Sequence, residues 1–410
     1  MSPTNKSLIS LDIQNEDAKE DAEYLKGRFL EIRQSIGHIQ KTIDEHVGYC
    51  ASNKIRTDKS AILAAKQIVS SVLKHLDGMK DIDLDPQLPP ADYGAKVTNL
   101  LQKYRTLLYA VSNVSNILDW RSSSYDQSID AMFFALDSQK SHEINYDRYR
   151  SANLTKLEKH LTNTLSLDNS KYNLLMTSSG MAAYNLVESY LLRYVFKQDD
   201  LVFIPHYIYF ETYEQISRLP LIKVKKSNIH DTNQICEFIL ENQPRVVFLD
   251  PITNTSDLRM VDIKGVIKKL ETQKFDHEVY IVIDGSMVSG EMLPLPRIKN
   301  EKIKILYYES CSKYLQLGLD ISMGGFVVVP IEITQIIRRL RTNTGTILYG
   351  NMVNVFPKCE RMVYRYRIKR FSRNALLIGK AMEDDKSLSE IIQVHYPTLK
   401  SHPDWKLAQK

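Results

Sequence analysis

YYESCSKYLQLGLD, residues 307–320, closes an apolar run that starts at Ile303 and sets Lys313 just past two serines, Ser310 and Ser312. A lysine that forms an imine must present a neutral amine. Partial desolvation beyond a strand end inside a closed cleft supplies that, and neighbouring hydroxyls can hold a phosphate. On this segment by itself a solvated surface lysine is the commoner outcome. The surrounding runs give it a setting: Leu201 to Pro205, Arg245 to Leu249, Val279 to Asp284, Ile303 to Tyr308 and Phe326 to Pro330 are short, rich in Val, Ile, Phe and Tyr, and alternate with amphipathic stretches. Near-continuous apolar strands of this kind predict an α/β fold, a parallel or mixed sheet covered by helices on both faces. In such sheets ligands gather beyond the carboxyl ends of the strands.

Two further segments end at that edge. VYIVIDGSM brings an apolar strand to Asp284, whose carboxylate could bind a metal, act as a base, pair with a cofactor cation or simply cap the next turn. Facing a protonated pyridine nitrogen at about 3 Å, the gross attraction is on the order of 5 kcal/mol at an effective dielectric near 20. LLMTSSGMAAYNLVESYLL, residues 174–192, sets Ser178, Ser179 and Gly180 before an amphipathic helix, which makes either a phosphate seat at a helix N-terminus or a plain N-cap.

The first 125 or so residues read differently. Leu25, Phe29, Ile32, Ile36, Ile39, Ile43 and Val47 step by four and three along one stripe of a helix. Ala61 to Leu76 and Val97 to Ile117 offer partners, separated by DIDLDPQLPPADYG, so a helical hairpin or three-helix layer is expected, serving interaction or packing. His38, His46 and His75 are scattered through it and read as surface or packing residues.

The whole chain has 410 residues, 54 Lys plus Arg against 49 Asp plus Glu, 43% hydrophobic and 25% charged residues. That balance belongs to an ordinary globular protein, and a net charge of +5 asks for no nucleic-acid or membrane partner. The basic runs RRLR, residues 338–341, and YRYRIKRFSR, residues 364–373, read as solvated helix faces. Cys50, Cys236, Cys311 and Cys359 form no CxxC pair and no zinc spacing, no window of eighteen apolar residues occurs, and the N-terminal segment lacks a signal-peptide core. A reduced, cytoplasmic setting with no membrane span and no metal is expected.

Taken in order, these segments resemble the fold-type I pyridoxal-phosphate enzymes of Cys/Met metabolism, the family of cystathionine γ-synthase, the cystathionine lyases and methionine γ-lyase. SCSKYLQLGLD is similar to the family's S-x-T-K-Y-x-x-G-H-x-D, with Leu317 and Gly318 where the family has Gly-His. SSGMAA, PHYIYFETY, VIDGSM and FLDPITNTSDLRMVDI resemble its SSGM-small-A, P-x-x-x-Y-G-G-T-Y, V-D-N-T-x and E-S-P-x-N-P-x-x-R-x-x-D-I. RSANLTKLEKHL, YRIKRFSRNALLIGKAME and VHYPTLKSHPDWKLAQK extend the likeness from about Tyr146 to Lys410.

The resemblance implies a cofactor, pyridoxal 5'-phosphate, held covalently by Lys313, which also shuttles protons. It implies that Asp284 partners the pyridine nitrogen, that Tyr209 stacks on the ring and aids proton transfer, and that Gly180, Met181, Ser310 and Ser312 hold the phosphate. Ser286 takes the place of the family's threonine. Asn254, one position off an ungapped match, takes the ring oxygen or the substrate. Phe210 and Glu211 replace two glycines after Tyr209, so that loop lacks their backbone freedom. Arg150 matches a phosphate ligand that the family donates across a dimer interface; a shifted match uses Tyr146 with Arg148 instead. A homodimer or homotetramer acting on an amino-acid substrate follows from the resemblance.

The expected organisation is a helical extension over residues 1–125, a cofactor-binding α/β domain over 126–330, and the start of a small C-terminal domain over 331–410. The family's carboxylate-binding arginine has no counterpart in that last part. The expected activity is elimination or replacement at the β or γ carbon of an amino acid such as cystathionine or a homoserine ester. The alternative is a catalytically impaired cofactor-binding protein or partner subunit with the N-terminal helices as its interaction module.

Overall fold

The computed structural model describes residues 11–52, 59–79, 82–118, 152–290, 292–293, 295, 298–389 and 391–409. Two compact units divide the chain: Met1–Asn153 with Tyr349–Phe356, and Leu154–Leu348 with Pro357–Lys410. The expected domain boundary at residues 125–126 lies outside the described residues.

In the first unit α1 (Leu11–Ser52), α2 (Lys59–Asp77) and α3 (Pro90–Leu118) pack together with the short helix Gly350–Val355. Most of the stripe read from the sequence is buried: Leu25, Phe29, Ile32, Ile36 and Ile43 are buried on α1 and Ile39 and Val47 half-buried, while Val69 and Val72 of α2 and Tyr104 and Leu107 of α3 are buried as well. Phe29 meets Tyr104 edge to face with ring centroids 6.0 Å apart. Arg33 pairs with Asp77 at 2.6 Å and the Tyr93 hydroxyl donates to Asp21 at 2.8 Å, tying α1 to α2 and to α3.

The second unit runs α4 (Ala152–Thr164), β1 (Tyr172–Thr177), α5 (Gly180–Tyr190), β2 (Asp200–Pro205), α6 (Phe210–Ile216), β3 (Ile222–Ser227), α7 (Thr232–Asn242), β4 (Val246–Leu249), α8 (Ile263–Leu270), β5 (Val279–Asp284), β6 (Ile303–Ser310), β7 (Gly325–Pro330), α9 (Thr334–Thr344) and α10 (Arg361–Asp384). Seven strands form one sheet in the order β1-β7-β6-β5-β4-β2-β3, parallel except that β7 runs against both neighbours. All five expected strands are present. Every residue of β4, β5 and β7 is buried, as strands covered on both faces require.

The order has one consequence for the site. Because β7 is antiparallel to both β1 and β6, the carboxyl ends of β1, β6, β5, β4 and β2 share one edge, and the start of β7 lies there too. Thr177, Ser310, Asp284, Leu249 and Pro205 therefore close their strands on the same side.

Candidate functional site

At that edge α5 begins directly after β1, and Ser179 caps it by accepting a hydrogen bond from the Ala182 amide at 3.0 Å. The amides before Ala182 and the positive end of the helix dipole face the strand ends. A side chain cannot intervene at Gly180, where a Cβ would lie 2.7 Å from the Ser310 Cβ. The segment that caps α5 and the serine that ends β6 are thus packed against each other. Met181 is half-buried beside them.

Asp284 ends β5 opposite Tyr308 of β6, buried to 7% exposure. Its Oδ1 accepts from the Ser286 amide at 2.9 Å, and the Ser286 hydroxyl accepts from the Ser310 amide at 2.9 Å. Ser286 thereby joins the carboxylate to the serine at the helix seat. Burial raises the Asp284 pKa, against donors from Ser286 and Tyr308 and the positive charge of Lys313. The Tyr308 hydroxyl lies 3.1 Å from that of Thr212, and its ring lies against Tyr184 at 5.8 Å.

Beyond β2, Tyr209 stands half-buried at the N-terminus of α6, with Phe210 and Glu211 already in the helix. No left-handed backbone occurs at either residue, so the missing glycines are not needed for this turn. Burial raises the pKa of the Tyr209 hydroxyl, with further contributions from Glu211 and Asp284. Its backbone amide donates to Asp250 at 3.2 Å, and Asn254 donates to the same Asp250 oxygen at 2.8 Å. The Asn254 amide also donates to the Tyr207 carbonyl at 2.8 Å, so Asn254 braces the turn before Tyr209.

Lys313 sits in the turn that follows β6, near enough for its charge to act on Asp284, and Ser310 and Ser312 are half-buried around it. Its side chain is exposed in the single chain. The turn itself is firm. Gln316 is buried, accepts from the amides of Ile321 and Ser322 at 3.0 Å each, and donates to the Ser322 carbonyl at 2.5 Å. Leu317, where the family has glycine, holds a left-handed φ of 57°, a conformation that costs a non-glycine residue about 1–2 kcal/mol. Arg150, Arg148 and Tyr146 lie outside the described residues.

One edge therefore gathers a reactive-type lysine, a buried carboxylate, an aromatic ring and a helix seat lined with hydroxyls. Residues 105–410 match the family model for the Cys/Met metabolism PLP-dependent enzymes. The chain belongs to this family.

A curated relative, the bifunctional enzyme flvA of Aspergillus flavus, is 30% identical over 308 residues, covering 74% of this chain and 37% of the relative. Cystathionine gamma synthase from Xanthomonas oryzae pv. oryzae, solved with cystathionine, superposes with TM-score 0.51 at 19% identity over 66% of this chain and 65% of that one. The metB structure from Corynebacterium glutamicum gives TM-score 0.50 at 20% identity over 65% and 64%. The chain thus spans just over a third of the curated relative, and these structures share its fold, that of the fold-type I enzymes.

The Cys/Met metabolism family uses pyridoxal 5'-phosphate, and the residues present fit it. The Gly180 approach leaves no side chain between the α5 seat and Ser310, and the buried Asp284 carboxylate is the group that a pyridinium nitrogen calls for.

Asp250 was not anticipated from the sequence. Burial first and the Asp284 charge second push its pKa well above the usual carboxylate range, against its Tyr209 and Asn254 donors. The signal was there: LDP ends β4 as VID ends β5, an acid at the mouth of an apolar strand. Tyr308 and Thr212 had no such signal, because their pairing depends on register and helix placement.

Proposed function

We propose that this chain is a pyridoxal-phosphate-dependent lyase or transferase of sulfur amino-acid metabolism, catalysing elimination or replacement at the β or γ carbon of an amino acid such as cystathionine or a homoserine ester. The observation that carries this is the Asp284–Ser286–Ser310 chain at the start of α5, with Lys313 one turn on. When bound, the cofactor supplies an electron sink for charge developing at the substrate's α-carbon. Asp284 would hold a proton on the ring nitrogen and Tyr209 would cover a ring face. Gly180, Met181, Ser310 and Ser312 would bind the phosphate, and Ser286 would fix Asp284 against Ser310. Lys313 Nζ would carry the cofactor and move the α-proton, with the Tyr209 hydroxyl assisting. Asn254 would act by bracing the Tyr209 turn.

A homodimer or homotetramer is part of this reading. Lys313 is exposed in the single chain, and Phe210 and Met323 at the same edge are 66% and 67% exposed, which a second copy contributing Arg150 would cover. A cytoplasmic setting agrees with Cys236, Cys311 and Cys359 being buried and forming no disulfide among the described residues. Among the described residues no helix is long and apolar enough to cross a membrane.

Turnover of cystathionine or a homoserine ester by the cofactor-loaded protein is the test. Asp284→Asn should keep the cofactor and lower kcat at least about a hundredfold, the scale of losing one electrostatic stabiliser. A second reading is a cofactor-binding partner subunit that does not turn over an amino acid. A cofactor absorbance that no amino acid perturbs would decide for it.

A further inference from the structure

Behind the Asp284 face of β6, on its opposite side, stands a carboxylate that the proposed chemistry does not use. Glu309 is fully buried. Its Oε1 accepts from the Ser289 hydroxyl at 2.9 Å, and its Oε2 accepts from the Tyr307 hydroxyl at 2.5 Å and from the Gly290 amide at 2.9 Å. Three neutral donors converge on one side chain, an arrangement that suits an ionised carboxylate, which only accepts.

The partners are the far end of a short loop. Residues 285–290 leave β5 at Asp284, and the amides of Val288 and Ser289 turn back onto the Gly285 carbonyl at 3.0 and 2.8 Å. Gly285 lies against the Tyr307 hydroxyl so closely that no Cβ fits. Ser286, next in line, is the residue that holds Asp284 and accepts from Ser310. From the other side Tyr364 of α10 donates to the Ser289 carbonyl and lies 2.7 Å from the Ser289 hydroxyl. The loop is therefore gripped at one end by Glu309 and Tyr364 and at the other carries the link between Asp284 and the phosphate seat.

We propose that Glu309 is a positioning residue for the cofactor: in its ionised form it fixes the 285–290 loop through Ser289 and Gly290 and so holds Ser286 between Asp284 and Ser310. This rests on the reading of Asp284 and Ser310 as cofactor ligands. When Glu309 takes up a proton, one of its hydroxyl partners must accept from it instead of donating, the remaining bonds lose their charge assistance and the grip on the loop loosens. Burial raises its pKa to about 7, opposed by Tyr307, Ser289 and Gly290 and augmented by the Asp284 charge. The titratable groups facing it are Tyr307 on its own strand, Asp284 on β5, Cys311 after β6 and Tyr364 on α10; Phe326, opposite it on β7, carries none.

The experiment is titration of the apo-protein with pyridoxal 5'-phosphate, followed by intrinsic fluorescence, between about pH 6 and about pH 8, one unit either side of that value. Wild type should bind more weakly as pH falls through about 7. Glu309→Gln places an amide NH2 among the donors; it should bind at least tenfold more weakly than wild type near pH 8, with the gap closing toward pH 6. Tyr364→Phe keeps Glu309 and removes the hydroxyl that meets the Ser289 carbonyl and hydroxyl, so it should weaken binding in the same direction by a smaller factor, and it serves if Glu309→Gln does not fold. Wild-type affinities and pH profiles in both variants would overturn the proposal. Wild type that binds no cofactor would instead overturn the assignment of Asp284 and Ser310.

Discussion

Glu309 also sets a pH dependence of stability that is separate from cofactor binding. Its pKa is raised from about 4.5 to about 7 by burial, so the folded protein holds a proton that the unfolded chain releases. The contribution to stability is full below about pH 4.5 and is lost as pH rises through about 7, a span on the order of 3 kcal/mol. Urea unfolding of wild type and Glu309→Gln should show the difference in unfolding free energy shifting by that order against wild type between about pH 4.5 and about pH 7.5. A difference independent of pH would mean that Glu309 titrates alike in both states. Ionisation thus orders the loop behind the site while costing the fold, the usual trade at functional positions. Asp284 could be found in the sequence because it ends an apolar strand at the ligand edge. Glu309 could not, because one residue earlier in YYES the side chain turns to the opposite face, and which face meets α10 is a tertiary matter.

At the scale of elements, one buried ion pair locks the α4 end of the sheet. Arg341 of α9 reaches Glu158 of α4 at 2.5 Å and the Met176 carbonyl of β1 at 2.8 Å, while the Met176 amide donates to Glu158 at 2.9 Å. Glu158→Ala strands a buried guanidinium and should cost about 3–5 kcal/mol, read from the denaturant midpoint. Glu158→Leu combined with Arg341→Leu should cost less than Glu158→Ala alone, and an equal or larger loss would mean that the pair itself stabilises the fold. The run RRLR reads as a solvated face, yet Arg341 is buried and Arg339 donates to the Tyr194 hydroxyl at 3.1 Å. Charge runs say nothing of which member a neighbouring carboxylate draws inward. β1 and β3 escaped the sequence reading for related reasons. β3 reads IKVKKS, an edge strand whose lysines guard its open side, and YNLLMT of β1 runs straight into the SSG turn that claimed the reading.

For the whole molecule, the order of apolar runs with Asp and Lys at their ends was enough to infer an α/β sheet with its site at the carboxyl edge. The strand order, the reversed β7 and the meeting of Gly180 with Ser310 come from pairing across long separations that no local pattern encodes. The stripe on α1 was equally readable, because helical spacing and burial coincide there. What unites fold and family is the assignment of Lys313 as the residue that carries the cofactor. Borohydride reduction of the cofactor-loaded protein, followed by proteolysis and peptide mass mapping, tests it most directly. The expected result is a pyridoxyl group on the peptide containing Lys313, lost in Lys313→Ala together with the visible cofactor absorbance. A reduced label on another lysine, or an absorbance that survives Lys313→Ala, would contradict it.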